Sequence, residues 1–375
     1  MGNPLQELIR FGQSFWYDNI RRELLTGGGL KRMVAEDGLR GLTSNPTIFD
    51  KAISGSADYD ESLRRHAHLP AKELFLEIEL EDIGAAADVL RGVYDGSEGR
   101  DGFVSIELTP DLARDAQASI QQAQWLWGRL QRPNVMVKVP ATPEGIPVVR
   151  RLLADGINVN ITLLFDLPSY EKVLDTWLSA LEDRAKQGLP LDRIASVASL
   201  FVSRVDVKVD KLLAARAAAA PERKQEFEAL LGQSGIANAR HMYSVFREMA
   251  RSERFRKLAA LGARPQRLLW ASTSTKNPKY PDIYYADALI GPDTVDTMPD
   301  VTIAAFRDHG HPADRLTGSE SEAQRVLKAL SAAGIDLQSA LLELREEGVA
   351  SFDKSYRDLL AGIQAKLARL EVRTA

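Results

Sequence analysis

Short apolar, β-branched runs recur along this chain, separated by longer stretches whose apolar positions fall at helical spacing. The runs lie at residues 14–18, 39–44, 103–108, 135–140, 158–165, 194–202, 267–272 and 285–290. Strands apolar on both faces belong to sheets covered by helices, and strand–helix alternation is the connection pattern of a parallel sheet. Eight such units favour a closed (α/β)8 TIM barrel, with additional helices, over an open doubly wound sheet. Several helices carry start signals: Asn45-Pro46, Thr142-Pro143 and Asp166-Leu167-Pro168 each offer a capping side chain before a proline. Gly156 is the expected stop of the helix that begins near Thr142.

Two segments exceed what the barrel needs. Residues 205–263 read as an insertion of two or three helices, including the alanine tract 217–220, and residues 319–372 read as C-terminal helices. The expected organisation is one barrel domain over 1–375 carrying both. The insertion either packs beside the barrel or forms a subunit contact, so a homo-oligomer stays open.

What is missing narrows the function. The net charge is −4 and the pI about 5.9, so no basic field invites nucleic acid. There is no cysteine, which excludes disulfides, thiolate catalysis and cysteine-ligated metal. No apolar run has the length of a membrane span, and residues 1–7 lack the pattern of a secretory signal. A cytoplasmic protein without membrane contact is expected. His66, His68, His241, His309 and His311 lack metal-ligand spacing, so no metal is assigned. Trp125 and Trp127 read as packing residues.

Within the run Val135-Met136-Val137-Lys138-Val139-Pro140, one residue is out of character. A buried lysine is costly as a cation, because desolvation favours the neutral amine. A neutral amine is a nucleophile whose usual task is Schiff-base formation with a carbonyl substrate. The plain structural reading is a strand-end lysine whose ammonium reaches solvent along its stem.

Polar residues recur near the other strand ends. Asp18 follows Phe15-Trp16-Tyr17, and Thr43, Ser44 and Asn45 close the second strand. Glu107 lies on the third, Asn158, Asn160 and Thr162 alternate along the fifth, Ser199 and Arg204 end the sixth, and Ser272, Ser274 and Lys276 follow the seventh. Buried polar groups are expensive unless paired or used, and C-terminal strand ends converge on the active site of a barrel. A coherent chemistry follows. Lys138 would attack a ketose carbonyl, with Glu107 and Thr162 holding the water that imine formation releases. Asp18 would take the proton from a substrate hydroxyl when a carbon–carbon bond breaks. Thr43, Asn45 and Asn160 would contact sugar hydroxyls, and Arg204, Lys276, Ser272 and Ser274 suit a phosphate. Bland roles remain open for two of these: Asn45 as a helix cap and Glu107 as the partner that keeps Lys138 charged.

Together the segments resemble the transaldolase family. The resemblance rests on Gln13 to Asn19, Gly41 to Phe49, Val135 to Thr142, Gly156 to Phe165, Ser199 to Asp206 and Ala271 to Pro278, in the family's order, from about Phe11 to about Pro299. It implies an (α/β)8 barrel that carries a dihydroxyacetone unit on a lysine, with sugar phosphates as partners and no metal or organic cofactor. It gives Lys138 the Schiff base, Asp18 acid–base work in cleavage, Glu107 and Thr162 the catalytic water, Asn45, Asn160 and Ser199 the bound sugar, and Arg204 the phosphate. Many members carry Ala-Ser-Phe-Arg at the second phosphate contact. This chain has Ala271-Ser272-Thr273-Ser274-Thr275-Lys276, so Lys276 replaces a bidentate fork with a point charge. The expected activity is transfer of a three-carbon ketol unit between sugar phosphates in the pentose phosphate pathway. The rivals are a fructose 6-phosphate aldolase, disfavoured by Glu107, and a catalytically silent sugar-phosphate-binding protein, disfavoured by the complete set of reactive residues.

Overall fold

The computed structural model describes residues 2–372. Its strands are β1 (Gln13–Tyr17), β2 (Gly41–Thr43), β3 (Phe103–Glu107), β4 (Val135–Pro140), β5 (Val159–Leu164), β6 (Ser196–Phe201), β7 (Arg267–Ala271) and β8 (Thr294–Met298). Each pairs in parallel with its sequence neighbours, and β8 returns to β1, with Gln13 beside Thr294 and Tyr17 beside Met298, so the sheet closes into a barrel. The expected (α/β)8 architecture with extra helices is the one observed.

One expected strand is not a strand. Residues 285–290 fall largely within the short helix Tyr284–Ala288, and the eighth strand lies beyond the turn at Gly291-Pro292-Asp293. The sequence Tyr-Tyr-Ala-Asp-Ala-Leu-Ile looked apolar because this segment is packed against the barrel. The true strand, Thr-Val-Asp-Thr-Met, was hidden by the polar residues Asp296 and Thr297, both buried. Elsewhere strand ends differ by one or two residues, which is ordinary fraying of assignment.

The barrel interior is layered. Trp16, Phe103, Met136, Val197, Leu269 and Val295 belong to one buried apolar cluster toward the N-terminal end. Gly41 makes room for it: a Cβ there would sit 2.4 Å from the Trp16 ring. Outward-facing strand residues join the larger core between barrel and helices.

The anticipated caps are present. Asn45 accepts from the Ile48 N–H at 3.0 Å and Asp166 from the Ser169 N–H at 3.0 Å. Thr142 accepts from the Gly145 N–H at 3.1 Å, but the regular helix starts only at Gly145, with Pro143 left in the preceding turn. Gly156 ends that helix in the left-handed conformation, at φ 91°. Trp125 corrects a packing expectation: it is 41% exposed, with the Arg129 guanidinium 5.1 Å from its ring centre.

Between β6 and β7 run the helices Ser203–Ala219, Ser234–Arg251 and Glu253–Ala259, with the short helix Lys224–Glu228 among them. The first packs against the C-terminal helix Leu337–Val372, where Lys208 meets Glu343 at 2.8 Å and Glu347 at 2.7 Å. The second packs against Glu320–Ala332. The C-terminal helix lies across the C-terminal ends of the strands. Arg114 holds Glu346 at 2.7 Å near its start, and Lys366 donates to the Ile53 carbonyl at 2.8 Å and pairs with Asp60 at 2.8 Å near its end. Among the described residues no helix is long and apolar enough to cross a membrane.

Candidate active site

A cavity of about 590 Å³ opens at the C-terminal end of the barrel. Its wall includes Asp18, Thr43, Asn45, Lys138, Thr162, Ser199, Arg204, Ser272, Ser274 and Lys276, so ten of the twelve residues singled out in the sequence meet there. The other two lie just outside it. Glu107 lines a narrow adjoining cavity, and Phe352 of the C-terminal helix borders both. Asn160 is fully buried and borders neither.

Strand register explains the centre of the site. Glu107 on β3 stands beside Lys138 on β4, and Lys138 beside Asn160 on β5. Lys138 is 6% exposed; its Nζ donates to the Ser44 carbonyl at 3.0 Å and lies 3.6 Å from Glu107 Oε2. The amine is therefore paired with a carboxyl, not isolated among apolar groups. Burial raises the Glu107 carboxyl above its ordinary range, opposed by the charge of Lys138 and its hydrogen bond. Glu79, on the helix Ala71–Gly96, is 2% exposed. Burial, with the charges of Glu107 and Asp82, pushes its carboxyl well up. The Thr162 hydroxyl is buried and makes no hydrogen bond within the protein, which leaves it able to hold a substrate or solvent oxygen.

Asp18 sits one residue beyond β1, where its N–H donates to the Met298 carbonyl at 2.9 Å. Thr43 Oγ1 donates to Asp18 Oδ1 at 2.8 Å, so Thr297 Oγ1, 2.7 Å from Thr43, donates in turn. Burial raises the Asp18 carboxyl, while Lys138 and the Thr43 hydrogen bond pull it down. Asn45 is the helix cap that one reading of it expected, and it also borders the cavity. Its oxygen caps the helix Pro46–Gly55, and its Nδ2, without a protein partner among the described residues, belongs to a side chain on the cavity wall. Asn160 underlies the floor: its Oδ1 accepts from Ser199 Oγ at 2.6 Å and its Nδ2 donates to Ser105 Oγ at 3.0 Å. It therefore orients Ser199, which borders the cavity.

The rim is cationic. Arg204 lies 5.0 Å over the Phe201 ring centre and makes no hydrogen bond or ion pair with the described residues. Lys276 Nζ donates to Ser274 Oγ, and Ser272, in the left-handed region at φ 57°, shares a hydrogen bond with Ser203 at 3.0 Å. Burial lowers the Arg204 guanidinium, opposed by Asp18; burial and then Arg204 lower the Lys276 ammonium. Two cations close enough for Arg204 to depress Lys276, at a mouth with neutral donors, are suited to an anion. Among the described residues no group of three or more His, Asp or Glu is placed to hold a metal ion.

Several cavity residues escaped the sequence reading: Arg21, Lys51, Thr297 and Phe352. Lys51 left a usable signal, since it stands four residues after Thr47 on the helix capped by Asn45 and therefore on the same face. Phe352 left none, because its helix is remote in sequence from every strand.

A parallel barrel with a buried lysine–carboxyl pair at its C-terminal mouth, an aspartate just past the end of β1 and a cationic rim has the form of an (α/β)8-barrel enzyme. The sequence pattern of the transaldolase/fructose-6-phosphate aldolase family matches residues 15–363, and the chain belongs to that family. The match runs past Pro299, where the resemblance read from motifs ended, into the helix that covers the mouth. A transaldolase of Saccharopolyspora erythraea is 43% identical over 366 residues, covering 97% of each chain. One of Thiobacillus denitrificans is 42% identical over 363 residues, 96% of this chain and 99% of its own. A Nostoc protein named transaldolase 2 is 40% identical over 375 residues, 98% of each.

Proposed function

We infer that the chain is a transaldolase, moving a dihydroxyacetone unit from a ketose phosphate (sedoheptulose 7-phosphate or fructose 6-phosphate) to an aldose phosphate (glyceraldehyde 3-phosphate or erythrose 4-phosphate) through a Schiff base on Lys138. The observation that carries the residue assignment is the pairing of buried Lys138 with Glu107 at 3.6 Å inside the barrel mouth.

Each group has a task its environment suits. Glu107, already raised by burial, accepts the proton that frees the Lys138 amine. The amine adds to C2 of the ketose, and loss of water from the carbinolamine gives the imine, with Glu107 and Thr162 holding that water. Asp18 then takes the proton of the C4 hydroxyl. The C3–C4 bond breaks, its electron pair passes through C3 into the imine to give an enamine, and the aldose leaves. An incoming aldehyde is attacked by C3, Asp18 returns the proton to the new alkoxide, and hydrolysis frees the product and Lys138. A carboxyl raised by burial is a better base for this exchange than an exposed one. Thr43 keeps Asp18 in place, Asn45 and Ser199 contact sugar hydroxyls, and Asn160 acts through Ser199. Arg204, Lys276, Ser272 and Ser274 bind the phosphate. The barrel, the insertion and the C-terminal helices form one domain in this reading. The cytoplasm is the proposed setting, since charged sugar phosphates do not cross a bilayer unaided.

The test is a borohydride trap with fructose 6-phosphate, read by intact mass and peptide mapping. A reduced dihydroxyacetone adduct on Lys138, together with turnover that depends on added erythrose 4-phosphate, is the expected result. A folded enzyme that gives no adduct on Lys138 overturns the mechanism. Free dihydroxyacetone released at the full rate without acceptor would make it an aldolase.

A further inference from the structure

The opposite end of the barrel holds a second cavity, of about 550 Å³, that the reaction does not use. It lies among the strand starts: Ser14, Phe103, Val197 and Arg267 border it, and Met136 of the apolar layer separates it from the catalytic mouth. Its wall carries Arg40, Arg100, Arg264 and Arg267 against Asp101 and Asp293 only.

The two aspartates are already engaged. Asp101, 4% exposed, accepts from the Ser14 hydroxyl, from the Trp16 indole at 3.1 Å and from Arg267 at 3.1 Å. Asp293 faces Arg247 at 3.6 Å. Arg100 reaches outward to Glu98 at 3.2 Å. That leaves two guanidiniums without a directly paired carboxylate. Neither Arg40 nor Arg264 makes a side-chain hydrogen bond, ion pair or ring contact with the described residues, although both are half-buried, and Nη1 of Arg264 is sealed from solvent without a partner. Burial, Arg100 and Arg193 push the Arg264 guanidinium down, opposed by the charge of Asp192 and by Tyr94.

Cations gathered in this way oppose folding unless an anion joins them. In a chain of net charge −4 the local excess is not a consequence of overall composition. Guanidinium forks match phosphoryl oxygens two at a time, and the volume is that of a small-molecule site. We propose that this cavity binds a compact phosphoryl anion, gripped by Arg40 and Arg264, at a site separate from the catalytic one.

The experiment is calorimetric titration with inorganic phosphate, and separately with unreactive glycerol 3-phosphate, of the Arg204→Ala enzyme, whose mouth has lost its principal anion contact. The same titrations follow with Arg264→Gln or Arg40→Gln added. One equivalent is expected to bind, and each added change is expected to weaken it about tenfold or more. Tighter binding of the ester identifies an esterified phosphate as the ligand, and tighter binding of the free ion identifies phosphate itself. Thermal melts separate binding from a structural role. Without phosphate, Arg264→Gln should melt at or above the parent temperature, because a half-buried cation with no direct partner is gone, and the rise that phosphate gives the parent should vanish. Unchanged affinity in both folded variants, or no binding to the parent up to about 20 mM, overturns the proposal. So does an Arg264→Gln variant that melts well below the parent while binding phosphate equally.

Discussion

Replacing Lys138 by methionine isolates what its ion pair does for Glu107. Both side chains are buried, at 8% and 6% exposed. Removing one member of such a pair costs about 3–5 kcal/mol if the other stays charged. Glu107 has an escape, because a carboxyl can take up a proton. Burial already raises it above its ordinary 4.5, and the charge and hydrogen bond of Lys138 hold it down, so the variant raises it further. The sign follows from linkage. Between the unfolded value and the raised folded value the native state binds more protons, so stability falls as pH rises, by up to about 1.4 kcal/mol per pH unit. Lys138→Met should therefore lie near wild type at about pH 5 and lose ground steadily toward about pH 8, to a deficit that does not exceed about 3–5 kcal/mol. Urea melts across this range measure it, and the variant should show no turnover. Because Glu79 is also buried and raised, the decisive control is Lys138→Met with Glu107→Gln, which should remove the added slope. A variant whose stability parallels wild type at every pH, or a slope that survives the double change, would refute the reasoning.

Asp18→Asn should still form the trapped imine on Lys138 but lose about 10²–10⁴-fold in cleavage; loss of the adduct itself would move Asp18 to an earlier step. Arg204→Ala should raise KM for phosphorylated ketoses more than it lowers kcat, and an equal loss on an unphosphorylated ketose would exclude a phosphate role. Phe352→Ala removes an aromatic side chain bordering both the catalytic cavity and the pocket beside Glu107. The expected outcome is more dihydroxyacetone lost to water per transfer event, read by product analysis at limiting acceptor, and an unchanged partition would deny the C-terminal helix a shielding role.

Much of the barrel was legible because a strand covered on both sides is mostly apolar, and seven of the strands kept enough apolar residues to be read despite the polar ones among them. β8 broke it with Asp296, which lies buried with its Oδ1 accepting from Thr273 at 2.9 Å. Burial pushes that carboxyl up to about 7, so it is a carboxyl the fold accommodates without exposing it. Sequence periodicity has no means of anticipating such a residue. The candidate site was legible for a related reason: Lys138 is the one polar residue of its strand, and Glu107 and Thr162 are polar residues in runs that are mostly apolar. Contributions made by backbone or by distant elements were not. The Ser44 carbonyl that receives the Lys138 amine carries no side-chain signature. Thr297 is hidden with the misplaced strand, and the bonds of Asn160 to Ser105 and Ser199 have no counterpart in strand periodicity.

The position of the site follows from the two-residue period of the strands. Trp16, Phe103, Met136, Val197, Leu269 and Val295 share one apolar cluster, and two residues further along the same strands stand Asp18, Ser105, Lys138, Ser199, Ala271 and Thr297. Side chains two apart on a strand share a face, so each member of the plug carries its partner above it toward the mouth. Trp16 fits only because Gly41 has no Cβ, and through that fit it sets the level of β1 against β2, where Thr43 meets Asp18. A one-residue slip of β4 would turn Met136 out of the core and Lys138 away from Glu107 in the same movement. Packing at one end of the barrel and reactive geometry at the other are therefore set by a single register, and a substitution that loosens the plug should be felt in the pairing of Lys138 before it is felt in the outer helices.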